Sequence, residues 1–274
     1  MRIKIKLQPL VYPAAIPVTH HQLQAFIYET VDAVNPRLAK AVHDQGWPET
    51  LDPLSAKRFK LFVFSIPETP RGFQFVGDEK RFDSGTVFWQ ISSPNTEFIT
   101  SLIAGLAMKP GNRIGRTQFV VEDVQIVPQP EFDEEMRFIA LSPLVASRPE
   151  RNSEGKSSKV YLRDEASFAS AIADNLKKKY QAWSGVNADE EPIEFAFDQE
   201  YLQQAGGFDS RKVTRTIYFV KRKADGGEDR IGIRGIQAPF WVRGSRALIE
   251  LGWETGFGEA NSQGFGMAGW GRIA

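Results

Sequence analysis

MRIKIKLQPL at residues 1–10 alternates charged and aliphatic side chains, whereas HHQLQAFIYETVDAV at residues 20–34 repeats its apolar positions every three or four. The first period predicts a strand over Arg2–Leu7. The second predicts a helix over His21–Val34, with Leu23, Phe26, Ile27, Val31 and Val34 facing a core. Working outward, strands are expected near Phe59–Ser65 and Thr86–Ser92, a helix near Asn95–Met108 and a strand over Gln118–Val127. The resulting order, β-α-β-β-α-β, is that of a ferredoxin-like domain. The acidic, proline-bearing stretch Pro128–Glu135 then breaks the pattern.

Beyond it the order starts again, with a strand over Arg137–Ala146, a polar, mobile-looking connection over Ser147–Ser158 and a helix over Ala166–Trp183. Arg211–Lys223 and Ile231–Val242 flank the turn signal Asp225-Gly226-Gly227 and predict a β-hairpin. A helix over Ser245–Glu254 opens on a serine cap, and Met267–Ile273 can close the sheet. The economical reading is an α+β chain of two tandem ferredoxin-like domains, residues 1–130 and 131–274, with a C-terminal glycine-rich loop.

Composition narrows the function classes. With 274 residues and 42% hydrophobic content the chain can build substantial cores. The absence of cysteine excludes disulfides and thiolate metal sites, and His20, His21 and His43 are the only imidazoles, so a zinc enzyme is not expected. The N-terminus lacks the uninterrupted apolar core of a signal peptide, and the longest apolar helical stretch, Ile99–Met108, is roughly half a membrane span. A cytoplasmic protein with no membrane partner is the expectation.

Net charge is zero, but its distribution is uneven. Residues 201–250 hold ten Lys or Arg against five Asp or Glu, which leaves +5 there and −5 elsewhere. Most of that basic charge lies on the arms of the predicted hairpin. Such a run fits either a polyanion-binding surface or a solvated hairpin.

GFGEANSQGFG, Gly256 to Gly266, pairs two Gly-Phe-Gly units across a polar spacer. Glycine backbones can turn successive amides toward one anion, although glycine clusters also mark structural turns. The run lacks the GK[ST] of a Walker loop, and the eight residues after it cannot complete a dinucleotide-binding βαβ unit.

Three first-half residues carry chemistry. Tyr28 lies off the apolar stripe of its helix. His43 falls in the last turn of a short helix that Asn35-Pro36 opens and Gly46 ends, where the carbonyl end favours a protonated imidazole. Lys60 opens the apolar strand KRFKLFVFS, where a cation can stabilise phosphorane charge or reach solvent.

The segments HHQLQAFIY, NPRLAKAVHDQG, KRFKLFVFS, LSPLVAS and GFGEANSQGFG together resemble the CRISPR-associated endoribonucleases of the RAMP superfamily, which cut precursor CRISPR RNA within each repeat. The resemblance runs along nearly the whole chain. It implies paired ferredoxin-like domains and cofactor-free, metal-independent cleavage, with His43, Tyr28 and Lys60 as the catalytic set. It also implies CRISPR repeat RNA as the partner, held by Gly256, Gly258, Gly264 and Gly266 and by Arg211, Lys212, Arg215 and Arg234 of the basic hairpin. Other CRISPR-associated subunits and a second copy of the chain stay open as further partners. A non-catalytic RAMP-type subunit that only binds guide RNA is the alternative, and a nucleotide-using small-molecule enzyme a weaker one.

Overall fold

The computed structural model describes residues 1–18, 20–47, 58–109, 111–151, 157–222 and 228–270. The chain divides into two units, Met1–Gln129 with Ser262–Gly264, and Pro130–Asn261 with Phe265–Ala274. Among the described residues no helix is long and apolar enough to cross a membrane.

In the first unit β1 (Arg2–Pro9) and β2 (Ala14–Pro17) precede α1 (His20–Asp32) and the short α2 (Pro36–Lys40). A π-helical turn (Ala41–Gln45) follows, then β3 (Val63–Phe64), β4 (Gln74–Val76), β5 (Glu79–Phe82), β6 (Val87–Ser92), α3 (Thr96–Met108), β7 (Asn112–Ile114) and β8 (Thr117–Ile126). The main sheet runs β3-β6-β1-β8-β7. Strand β1 sits at its centre, antiparallel to β6 and β8, and its alternation buries Ile3, Ile5 and Leu7 completely. Leu23, Phe26, Ile27 and Val31 of α1 and Phe98, Ile99, Leu102 and Leu106 of α3 close that face into one core. Asn35 caps α2 by accepting from the Leu38 amide at 3.1 Å, with Pro36 in the first turn.

The four principal strands keep the expected order, but the strand expected over residues 59–65 is reduced to Val63–Phe64. Leu61, at φ +40°, turns the chain out of the extended region just before it. The second sheet, β2-β5-β4, and the edge strand β7 are additions whose strands span only three or four residues, too short for alternation to register.

The second unit repeats the plan with β9 (Glu135–Ala140), β10 (Ser147–Arg151), β11 (Ser157–Tyr161), α4 (Glu165–Ser184), β12 (Ile193–Phe197), α5 (Gln199–Ala205), β13 (Thr214–Arg222), β14 (Glu228–Ile236), β15 (Phe240–Gly244), α6 (Arg246–Thr255) and β16 (Ala268–Gly269). Its sheet runs β12-β15-β9-β16, which matches β3-β6-β1-β8 position for position. Phe138, Phe195, Phe197 and Phe240 from the sheet pack with Phe168 and Ile172 of α4 and with Leu248 and Trp253 of α6. The aromatic rings sit close, Phe195 and Phe240 stacking with centroids 4.9 Å apart.

Three expectations change here. Residues 147–151 and 157–161 form an antiparallel hairpin in place of a loose connection. The basic hairpin exists, as β13 and β14 paired from Thr214↔Ile236 to Arg222↔Glu228, but it stands apart from the four-stranded sheet. The sheet instead uses β12, a five-residue strand between Pro192 and Asp198, and β15, which Pro239 separates from β14. Ser245 occupies the first position before α6 without a side-chain capping bond. The hairpin turn 225–227 and the end of the closing strand, 271–273, lie outside the described residues.

Candidate active site

Tyr28, His43 and Lys60 arise from three segments of the first unit and converge. Helix α1 presents Tyr28 toward Phe62, whose ring meets it edge-on at 5.5 Å. The His43 ring makes a second edge contact with Tyr28 at 5.1 Å, and Lys60 Nζ stands 5.6 Å from the same ring's centroid, within cation–π range. Tyr28 is consequently more buried than its place off the apolar stripe implies. Helical spacing reports only the helix's own faces, whereas these contacts come from distant segments. Its Oη has no hydrogen-bond partner among the described residues.

The π-helical turn delivers His43. Gly46, at φ +65°, donates its amide to the Ala41 carbonyl at 3.0 Å and closes the widened turn. His43 Nδ1 lies 2.7 Å from Asp44 Oδ1, and the histidine side chain keeps 61% of its surface exposed, open to a polymeric substrate. The bond from His43 holds the Asp44 carboxyl below the usual carboxylate range, with the charges of His43, Lys40 and Lys60 acting in the same direction. Burial pulls the Lys60 ammonium below an ordinary lysine, against the attraction of Asp44. Burial also pushes the Tyr28 phenol up, with Asp44 adding to the shift, so its hydroxyl stays protonated at neutral pH.

Tyr28, His43 and Asp44 border a cleft of about 480 Å³ lined also by Glu29, Asp32, Ala39 and Lys40, while Lys60 stands off its lining. The cleft exposes the His43 imidazole, with the protonated Tyr28 hydroxyl buried at its wall and the Lys60 ammonium beside the Tyr28 ring. Together they supply what phosphodiester transfer needs: a group that moves a proton and donors for phosphoryl charge. Among the described residues no cluster of three or more His, Asp or Glu side chains is arranged to hold a metal ion. Asp44 was not singled out by sequence, because a carboxylate beside a histidine is commonplace and its contact depends on the local turn.

The glycine run shows a different logic. Gly256, Gly258, Gly264 and Gly266 are all buried at φ between +79° and +84°. A Cβ on Gly258 would lie 2.5 Å from the Val145 carbonyl oxygen, one on Gly264 would collide with Phe64, and one on Gly266 with the Phe257 carbonyl. The Gly256 amide donates to Gly252 at 2.9 Å and the Gly266 amide to Pro143 at 2.8 Å. These two amides are thus turned into the fold rather than toward an anion.

On the hairpin unit Arg211, Lys212 and Arg215 are exposed. Arg215 donates to the Arg211 and Thr214 carbonyls, each at 3.0 Å. Arg234 differs, since its guanidinium donates to the Leu162 carbonyl at 3.1 Å and pairs with Asp209, leaving 11% of its side chain exposed. It holds β14 in place.

Residues 15–125 match the family described as CRISPR-associated protein Cas6, N-terminal, and residues 127–269 match CRISPR associated protein Cas6, C-terminal. The CRISPR-associated endoribonuclease Cas6 1 of Methanocaldococcus jannaschii is 30% identical over 268 residues, covering 97% of this chain and 91% of that protein. The CRISPR-associated endoribonuclease Cas6 of Pyrococcus furiosus is 28% identical over 271 residues, covering 97% and 89%. A solved CRISPR associated protein Cas6 superposes with a TM-score of 0.68 at 28% identity, over 99% of each chain. With both halves matched in order over nearly its whole length, the chain belongs to the Cas6 family of CRISPR-associated proteins.

Proposed function

We propose that this chain is an endoribonuclease that cuts precursor CRISPR RNA within its repeats, without a metal ion. The ribose 2′-oxygen upstream of the cut forms a bond to phosphorus as the P–O5′ bond breaks, leaving a 2′,3′-cyclic phosphate and a 5′-OH. His43 carries the proton, taking it from the 2′-OH or giving it to the departing O5′. Lys60 and the protonated Tyr28 hydroxyl stabilise charge growing on the phosphoryl oxygens. Arg211, Lys212 and Arg215 hold the RNA backbone, and the glycine run supports that surface by shaping the fold around it.

The observation that carries this reading is the meeting of His43 and Lys60 on the Tyr28 ring in a Cas6-family chain. End-labelled repeat RNA, incubated in excess EDTA beside a substrate with a 2′-deoxy sugar just upstream of the cut, tests it. Cleavage of the first RNA alone is the expected result. His43→Ala is expected to bind that RNA with unchanged affinity and to lose cleavage by about 10²- to 10⁴-fold. Tight binding by the wild-type protein with no cut under any condition would leave an RNA-binding subunit instead.

A further inference from the structure

We infer that Asp44 is a positioning residue for His43, fixing which imidazole nitrogen reacts. The inference rests on the endoribonuclease reading and adds to it a group outside the expected catalytic set.

The contact is geometric before it is electrostatic. Adjacent residues of an α-helix do not face one another, so a histidine and the aspartate after it ordinarily diverge. Here both lie in the π-helical turn closed from Gly46 back to Ala41, which fits an extra residue into the turn and swings successive side chains through a smaller angle. The result is the 2.7 Å approach of His43 Nδ1 to Asp44 Oδ1.

The direction of that bond follows from the acceptor. An ionised carboxylate has no proton to donate, so Nδ1 carries the hydrogen and Nε2 is left to exchange a proton with substrate. The surroundings keep Asp44 ionised, since Lys40 of α2 and Lys60 of the strand segment both favour its charged form. The other groups bordering the cleft are Glu29, Asp32 and Tyr28, all from α1. In the neutral ring Nε2 offers a lone pair to the 2′-O–H. In the imidazolium, Nε2–H can pass to O5′. Either way one proton moves through Nε2 while Nδ1–H stays on Asp44.

The chain has only three histidines, so nitrogen-15 NMR of histidine-labelled protein at about pH 8.5, well above an ordinary imidazole pKa, reads the tautomer directly. His43→Gln identifies its signals. The expected wild-type result is protonated Nδ1 and bare Nε2, and Asp44→Asn is expected to shift the ring toward the Nε2–H form. In cleavage assays Asp44→Asn should lower kcat about 10- to 100-fold with KM for repeat RNA nearly unchanged, and Asp44→Glu should recover part of the loss. An Nε2–H tautomer in the wild-type protein, or full kcat in Asp44→Asn, would overturn the assignment. The tautomer measurement needs no substrate, so it decides the His43–Asp44 geometry even if no RNA is cut, an outcome that would count against the endoribonuclease reading alone.

Discussion

Tyr28 places a hydroxyl in the interior with no hydrogen-bond partner among the described residues, and a buried unsatisfied hydroxyl costs about 1–3 kcal/mol. Tyr28→Phe is therefore expected to raise the urea midpoint while lowering kcat, a stability gain coupled to a functional loss that equilibrium unfolding and cleavage assays resolve. His20 behaves in the opposite manner. It is 2% exposed, with Nδ1 donating to the Gln263 carbonyl at 2.8 Å inside the first unit. Burial pushes its imidazole down from 6.5 to about 4, with the Lys80 charge adding to the shift and the Gln263 bond opposing it. Because the folded state binds its proton less readily than the unfolded chain, this contribution is complete above about pH 6.5 and is lost as pH falls toward 4. It amounts to about 3 kcal/mol. Urea midpoints measured across that window should fall with pH in the wild-type protein and flatten in His20→Asn. The resemblance to the RAMP endoribonucleases marked Tyr28, His43 and Lys60, each of which by spacing alone fitted a surface residue equally well. Sequence could not mark Asp44 or His20, whose significance comes from partners that only the folded chain supplies.

The elements that were legible are those with a long, clean period. Strand β1 alternates over its full length, and α1, α3 and α4 each show an apolar stripe over thirteen residues or more. The elements that escaped are short, as with β12, or depend on pairing, as with the β10–β11 hairpin, whose strands SRPER and SSKVY show no alternation of apolar residues to announce them. The π-helical turn belongs to the second kind: a capped helix ending at Gly46 was readable, the extra residue within it was not. Gly46 also has a second duty, because a Cβ there would lie 2.7 Å from the Phe59 carbonyl oxygen. That carbonyl accepts from the Trp47 amide at 2.7 Å, in the bridge joining the end of the His43 turn to the segment that carries Lys60. Gly46→Ala is expected to lower stability by about 1–3 kcal/mol and kcat more than RNA affinity, as thermal melts and single-turnover cleavage would reveal.

Across the whole molecule, zero net charge conceals a stretch of +5 at residues 201–250 and a remainder of −5. RNA affinity should accordingly depend on few phosphate contacts. Replacing Arg211, Lys212 and Arg215 by alanine is expected to flatten the dependence of log K on log salt by about 2, given roughly 0.7 per phosphate contact on a single strand. Arg234→Ala should lower the melting temperature and leave that slope nearly intact, because its guanidinium is engaged with Leu162 and Asp209. The duplicated strand order of the two units was readable because each half follows the same alternation of strands and helices, while the hairpins set into the second half obscured which strands formed its sheet. The glycine run bears on how sequence variation in such chains is to be understood. Gly258, Gly264 and Gly266 leave no room for a single added carbon, so evolution would hold these positions fixed even in a descendant that had stopped touching RNA. Invariance there is a signature of architecture, and on the proposed mechanism a relative that keeps the glycines but lacks counterparts of His43 and Tyr28 would bind RNA without cutting it.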